Sequence, residues 1–157
     1  MPEKNSSIIS VESLKSAHAK ILNTAEKRLY GRQGGRAIVK MLSSSVDTFL
    51  IDLWSQVGGS DHANVDLVAV GGYGRSELCP HSDWDILFLV AEGRNTNLNQ
   101  RIQSFIQCIW DSGAVLGHAV RTPREAREFS KTDHHSRTAL MESRLISGSG
   151  MLYKQLQ

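Results

Sequence analysis

Features that would assign the chain to several large classes of protein are scarce or missing. Its 157 residues contain two cysteines, Cys79 and Cys108, too few to indicate a disulfide framework or a zinc site. The longest uninterrupted apolar run, residues 86–91, is too short to span a bilayer, and the first residues, MPEKNSS, lack the apolar core of a signal peptide. A net charge of only +2 gives no reason to expect a nucleic-acid partner. We therefore expect a cytoplasmic protein with no membrane or nucleic-acid partner.

The apolar pattern indicates a globular chain of mixed secondary structure. Apolar residues make up 40% of it and charged residues 22%, and the length is sufficient for one buried core. The periodicity predicts helices over 10–30, 36–57, 98–110, 134–147 and 151–157, with a short one after Thr122, and strands over 65–70, 84–90 and 114–121. We expect an α+β fold with a small mixed sheet flanked by helices. An N-terminal helical segment (1–60) is expected to pack on a core (61–157) that is truncated at its C-terminus.

The stretch from residue 65 to residue 90 carries the clearest chemical signal. Two predicted buried strands flank the segment GGYGRSELCPHS, in which Gly71, Gly72 and Gly74 leave the backbone bare and permit positive φ. The amide groups of such a loop can approach an anion closely. Arg75 follows at once, and its planar guanidinium suits phosphate oxygens. The segment therefore predicts a phosphate-binding loop.

Two aspartates open the second of these strands. Asp83 and Asp85 are two residues apart, so the period of a strand puts both carboxylates on one face and Trp84 on the other. Neighbouring carboxylates raise each other's pKa, and a hard divalent cation removes that repulsion. Mg²⁺ prefers carboxylate oxygens together with substrate phosphates. A phosphate loop followed by this pair therefore indicates nucleotidyl transfer, with Mg²⁺ or Mn²⁺ as the cofactor.

The whole string, G-G-x-G-R-x-E-L-x-P-x-S-D-x-D followed by four apolar residues, resembles the signature of the DNA polymerase β-type nucleotidyltransferase superfamily. Within that superfamily, GGYGRSELCPHSDWDILFL is most similar to the amino-terminal domain of the bifunctional uridylyltransferase/uridylyl-removing enzyme family of bacterial nitrogen control. The similarity extends from about Tyr30 to the end of the chain and is less specific outside the loop.

The resemblance implies a reaction and a set of site residues. Members of the family transfer UMP from UTP to a tyrosine of the small PII signalling protein. By resemblance, Asp83 and Asp85 are expected to be catalytic and to hold the metal. The residues expected to bind the nucleotide are Gly71, Gly72, Gly74, Arg75 and Ser82. The family also carries an HD-type hydrolase domain, which removes UMP, and ACT-type sensing domains, neither of which is expected within these 157 residues.

One acid expected from the superfamily is missing. Its members usually place a third carboxylate on the strand after the intervening helix, where this chain reads VLGHAV. His118 occupies roughly that position, and the uridylyltransferase family tends to read G-H-S-V-R-T here. His118 is therefore a candidate for orienting a phosphate or accepting a proton, because imidazole titrates near neutral pH. A purely structural histidine is the alternative.

Other acids are candidates for the missing ligand. Asp111, Asp133 and Glu142 all follow the aspartate pair in the chain, and the last two fall in a stretch, TDHHSRTALMESRLISG, that also resembles the family. Against a catalytic role, Asp133 could cap a helix and Glu142 could pair with Arg144 or Arg137. Both interpretations stay open at the level of sequence.

Two further acids match the family pattern without an assigned role. Asp47 can equally be a solvated helix residue, and Glu77 is expected to hold the loop through an ion pair with Arg75. Two other functions also stay open. One is a different nucleotidyl transfer, such as adenylyl transfer to a protein or small molecule, because the loop reads phosphates and not the base. The other is a nucleotide-binding regulatory module without catalysis.

Overall fold

The computed structural model describes residues 9–57, 64–93 and 96–157. Within these ranges it contains seven helices and one four-stranded mixed sheet, which confirms the α+β fold. The helices are α1 (Val11–Tyr30), α2 (Gly35–Gln56), α3 (Gly71–Gly74), α4 (Thr96–Asp111), α5 (Pro123–Thr132), α6 (His134–Met141) and α7 (Met151–Leu156). The strands are β1 (Val65–Ala69), β2 (Trp84–Val90), β3 (Leu116–Arg121) and β4 (Arg144–Ser147).

The sheet has the order β3-β2-β1-β4. Strands β1 and β2 are antiparallel, with Ala69 opposite Ile86, whereas β2 and β3 are parallel, with Asp85 opposite Gly117. Strand β4 runs antiparallel to β1 along its other edge. The first residues of β2 therefore lie between the end of β1 and the beginning of β3.

The two faces of the sheet carry different cores, because successive residues of a strand point to opposite faces. On one face, Trp84, Ile86 and Phe88 join the larger buried cluster with side chains of α1, α2 and α4. On the other face, Leu87 and Leu89 form a smaller cluster with side chains of β1, α5 and α7. Asp85 alternates with Trp84 and Ile86, so its carboxylate lies on the face of the smaller cluster.

Helix α5 begins as the sequence predicts. The Thr122 hydroxyl accepts a bond from the amide of Glu125 at 3.2 Å, and the Glu125 carboxylate accepts one from the amide of Thr122 at 2.7 Å. This reciprocal capping box, with Pro123 at the first helical position, satisfies backbone donors that the helix itself cannot. It fixes the direction in which the chain leaves β3 and returns across the sheet.

The helix predicted over 134–147 is wrong beyond its first eight residues. Helix α6 ends at Met141, Glu142 caps it, and residues 144–147 form strand β4. This strand pairs with the otherwise open edge of β1, with Arg144 opposite Ala69. Backbone pairing at that edge outweighs the helical spacing of Leu145 and Ile146, because unpaired strand groups in a protein interior are unfavourable.

The division of the chain into a helical segment and a core stays a prediction. The boundary expected at residue 60 lies outside the described residues. Both cysteines are free. Within the described ranges, no helix has both the length and the apolar character required to cross a membrane.

Candidate active site

Asp83 and Asp85 lie at the head of β2 with their carboxylates accessible to solvent, while Trp84 between them is buried. Burial of part of the Asp85 side chain raises its pKa, and the negative charge of Asp83 raises it further. Neither carboxylate takes part in the ion pairs of the described residues. The sequence-predicted pair is therefore close together and carries no compensating cation from the described part of the chain.

Two glycines flank Asp85, one in the loop that follows β1 and one on β3. A β-carbon at Gly71, which follows β1, would lie 3.8 Å from Asp85 Oδ2. A β-carbon at Gly117, the partner of Asp85 on β3, would overlap Asp85 Oδ1. The two carboxylate oxygens thus face opposite neighbours, and Gly117 provides the space that one of them occupies. Sequence reasoning missed Gly117, although its position beside Asp85 follows from a parallel register.

The predicted phosphate loop is a single turn of helix. The amides of Gly74 and Arg75 donate to backbone carbonyls inside the turn, so neither is available to an anion. Gly72 and Arg75 line a cleft of about 310 Å³ together with Ser82, Asp83 and Asp85. The structure therefore brings five of the seven residues expected to bind nucleotide or metal into one cleft.

Gly74 and Ser82 have local structural roles. A β-carbon at Gly74 would overlap the backbone carbonyl of Glu142, so its glycine permits close packing of the loop on the end of α6. The Ser82 hydroxyl donates to the carbonyl of Cys79 at 2.8 Å, which closes the turn before Asp83. Ser82 nonetheless keeps lone pairs, and its side chain stays exposed at the cleft.

Two carboxylates hold the Arg75 guanidinium. Its Nε donates to Glu77 at 2.9 Å, and its Nη1 donates to Glu142. The structural role expected for Glu77 is confirmed, and Glu142 does pair with a cation, although the partner is Arg75 and not Arg144 or Arg137. The side chains of Arg75 and Glu77 are roughly half exposed, so this ion pair contributes little to stability and can exchange for a ligand.

A second, more buried network of hydrogen bonds joins the loop to α2 and β4. The Tyr73 hydroxyl donates to Asp47 Oδ1 at 2.6 Å, and Arg144 donates to the same carboxylate at 2.8 and 3.1 Å. Burial raises the pKa of Tyr73, and the charge of Asp47 raises it further, so the phenol stays a donor. Asp47 is therefore a structural anchor joining α2, the loop and β4. Its interpretation as a solvated helix residue is wrong.

The His118 side chain and the Asp85 carboxylate lie on opposite faces of the sheet, although both residues border the cleft beside β3. His118 is opposite Ile86 on the adjacent strand, and Gly117 is the residue opposite Asp85. The alternation of β3 therefore places the imidazole on the other face of the sheet, where its ring centre lies 6.1 Å from that of Trp110. The residue opposite Asp85 on β3 is therefore a glycine, which offers no side-chain ligand.

The other candidate acids are occupied elsewhere. Asp133 caps α6 by accepting a bond from the amide of Ser136 at 2.7 Å, and Asp111 accepts one from Gln107. Within the ranges that the structure describes, no group of three or more metal-ligating side chains could hold an ion. The candidate metal centre of the described chain thus consists of two carboxylates, and other oxygens would have to complete the coordination.

A second cleft, of about 230 Å³, shares Asp85 with the first and lies on its β3 side. Strand β3 contributes Gly117 and Arg121 to it, and Phe129 and Leu140 contribute from α5 and α6. The Arg121 guanidinium stacks 3.8 Å above the Phe129 ring. We refer to this space as the β3 cleft. Sequence reasoning did not find it, because it depends on how α5 and α6 fold back over the sheet.

Comparison with known proteins gives one consistent result. No family model matches the chain. Curated relatives named bifunctional uridylyltransferase/uridylyl-removing enzyme match it at 37% identity in Methylococcus capsulatus, 36% in Vibrio parahaemolyticus and 39% in Haemophilus influenzae. These matches cover 86%, 95% and 71% of this chain, respectively.

The chain spans only 16%, 17% and 13% of the length of these relatives. The similarity therefore concerns one segment of a much longer protein. Over that segment, the chain belongs to the family of bifunctional uridylyltransferase/uridylyl-removing enzymes.

Proposed function

We propose that this segment transfers UMP from UTP to a tyrosine of a PII-type signalling protein and releases pyrophosphate. The observation that carries the proposal is the uncompensated pair Asp83 and Asp85 in one cleft with Gly72 and Arg75. The names of the relatives support uridylyl transfer as the reaction. The phosphate loop, the metal pair and the base specificity of the relatives together favour UTP as the donor.

The two carboxylates fit a divalent cation, Mg²⁺ or Mn²⁺. They are close enough for the charge of Asp83 to raise the pKa of Asp85, and hard cations prefer oxygen ligands. A two-carboxylate set suits Mg²⁺ in particular, which commonly takes its remaining ligands from substrate phosphates and water. When bound, the cation would neutralise charge on the phosphates and on the departing pyrophosphate.

The residues of the cleft would position the triphosphate. Arg75 can exchange its exposed carboxylate partners for phosphate oxygens, because it presents several donors in a rigid fork. Ser82 can turn its hydroxyl from the Cys79 carbonyl toward a phosphate. Gly72 lets the β- and γ-phosphates approach the backbone without steric obstruction.

The proposed transfer is an in-line displacement. The phenolic oxygen of the acceptor forms a bond to the α-phosphorus as the bond to the β-phosphate oxygen breaks. The electron pair of that bond leaves with pyrophosphate, and the phenol proton passes to water. Through the cation that they would hold, Asp83 and Asp85 would fix the reacting phosphate between loop and acceptor, so the effective concentration of the reactants would rise.

Gly117 favours one alternative, a nucleotide-binding module without catalysis. It is the residue opposite Asp85 on β3, the strand on which the superfamily usually has a third acid, and among the described residues no third side chain joins the aspartate pair. This alternative predicts metal-dependent nucleotide binding without pyrophosphate release even when the acceptor protein is present. Adenylyl transfer, the other alternative, predicts release with ATP in place of UTP.

The test is pyrophosphate release with Mg²⁺ and each of the four nucleoside triphosphates, with and without a PII-type protein. We expect release with UTP alone, dependent on the acceptor, and reduced at least about 100-fold in Asp83→Asn and Asp85→Asn. Asp52→Asn, an exposed aspartate on α2, serves as the matched control and should retain full activity. Near-normal turnover in either site variant would refute the metal assignment.

Thermal denaturation provides a readout that does not depend on turnover. The pKa of Asp85 is raised in the fold, so its ionised form destabilises the protein above that pKa and its contribution disappears at lower pH. Asp85→Asn should therefore melt no lower than wild type at pH 7 without metal. Added Mg²⁺ should raise the melting temperature of wild type and Asp52→Asn but not that of Asp85→Asn.

A further inference from the structure

The arrangement around Asp85 defines two sides. The phosphate loop follows β1 and lies beside Asp85 Oδ2, whereas the β3 cleft lies beside Oδ1, past Gly117. In an in-line displacement, the attacking and leaving oxygens are on opposite sides of the phosphorus. With pyrophosphate leaving toward the loop, the attacking oxygen has to arrive from the direction of β3.

We propose that the β3 cleft is the subsite for the aromatic ring of the acceptor tyrosine. This inference rests on the proposed function and deepens it by assigning a place to the second substrate. Asp85 borders the cleft directly, and Gly117 leaves room there for its Oδ1, because a β-carbon at position 117 would overlap that oxygen.

The size and lining of the cleft suit a phenol ring. Its volume is about 230 Å³, and a cavity of roughly 150 Å³ with apolar walls is known to admit benzene. Apolar side chains form most of its wall: Val70, Leu87, Ala119, Ala126, Phe129 and Leu140. Phe129 is 40% exposed, so part of its ring is available to contact another ring at the rim of the cleft.

Arg121 supplies the polar complement. Its guanidinium lies flat on the Phe129 ring and belongs to none of the ion pairs formed by the described residues. A cation at this position can attract the negative charge that develops between the phenolic oxygen and the phosphate. Arg75, by contrast, is already paired with two carboxylates on the other side of Asp85.

The first test measures binding of a tyrosine analogue, so its result can be interpreted even if no UMP transfer is observed. N-acetyl-tyrosinamide is titrated into the isotope-labelled 157-residue chain with Mg²⁺ and a non-hydrolysable UTP analogue, and amide NMR shifts are followed. We expect shifts at Gly117 and Ala139, which line the cleft, and saturation of both with one dissociation constant. No shift at these residues in the wild-type chain would overturn the proposal.

A matched pair of substitutions on α6 locates the effect. Ala139→Phe fills the cleft, whereas Met141→Phe adds the same side chain to a position that is 82% exposed and outside it. Ala139→Phe should abolish the tyrosinamide shifts and lower kcat/KM for the protein acceptor at least about tenfold, with UTP binding unchanged. Met141→Phe should leave all three measurements at wild-type values, and thermal denaturation confirms that both variants fold.

The remaining outcomes distinguish the two proposals. If Ala139→Phe weakens binding of the UTP analogue, and the analogue alone shifts Ala139, the cleft holds the nucleoside and the acceptor subsite is wrong. If Ala139→Phe still transfers UMP at the wild-type rate, the acceptor enters elsewhere and the inference fails while the proposed function stands. If tyrosinamide binds as expected but no nucleotide is turned over, the cleft binds a phenol ring but is not an acceptor subsite, and the proposed function fails.

Discussion

Replacing Asp47 by alanine tests whether the network behind the loop holds the site together. The substitution removes the acceptor of three hydrogen bonds, one from Tyr73 and two from Arg144. The Arg144 Nε is already buried without a partner among the described residues, so the guanidinium would lose its charge partner and keep a bond to the Tyr73 carbonyl at 3.4 Å. The lost contacts join α2 to residues 26 and 97 positions away in the chain.

The expected loss of stability follows from burial. Removing one member of a fully buried ion pair costs about 3–5 kcal/mol. The side chains of Arg144 and Asp47 are 30% and 21% exposed, which allows water to compensate part of that loss. We therefore expect Asp47→Ala to lower the free energy of unfolding by about 2–4 kcal/mol. For a chain of this length, that is roughly 4–16 °C in melting temperature.

The assay is urea unfolding followed by tryptophan fluorescence, together with thermal denaturation. Asp52→Ala, on the exposed side of the same helix, is the control and should stay within about 0.5 kcal/mol of wild type. Tyr73→Phe removes one of the three bonds and should cost about 1 kcal/mol. If Asp47→Ala is as stable as Asp52→Ala, the network is incidental and the loop is positioned by packing alone.

Two further predictions follow. Asp66→Asn should destabilise the protein by about 1–3 kcal/mol and speed hydrogen exchange in α7. The amides of Gly150 and Tyr153 bond to different oxygens of Asp66 at 2.9 Å, and one of these oxygens becomes an NH₂ donor in asparagine. Unchanged exchange in α7 would exclude this docking role. Gly117→Ala should leave the melting temperature near that of wild type but abolish its increase with Mg²⁺, because the new methyl group displaces only the end of the Asp85 side chain. In Gly74→Ala the new methyl group overlaps the backbone of Glu142, so this variant should melt at a lower temperature. Equal melting behaviour in these two variants would contradict the packing argument.

The parts of the fold that sequence predicted were those with local causes. Strand β2 was predicted with its observed bounds because a continuous apolar run follows Asp85, and α5 because its capping box lies within four residues. Strand β4 was missed because its helical or extended state depends on the open edge of β1, far away in the chain. A short apolar run carries no information about which of these environments it will meet.

The residues of the candidate site show the same difference between local causes and contacts that are distant in the chain. The aspartates, the glycines and Arg75 lie within 15 residues of one another, so a contiguous motif could reveal them. The roles of Asp47 and Glu142 could not be predicted, because their partners are 97 and 67 residues away. Gly117 was missed for a different reason. A missing acid suggests another residue with a polar side chain, whereas Gly117 contributes space because it has no side chain.

The order of the strands has a consequence for synthesis on the ribosome. Strands β1 and β2 can pair as soon as they emerge, but the second edge of β1 waits for β4, and Arg144 follows Tyr73 by 71 residues. At about 5–20 residues per second, that edge stays open for roughly 4–14 s. An unpaired apolar edge is a template for association with other nascent chains. The bond from Arg144 to the loop that faces the aspartates therefore forms late in synthesis. During this interval, a chaperone that binds nascent chains would be needed most.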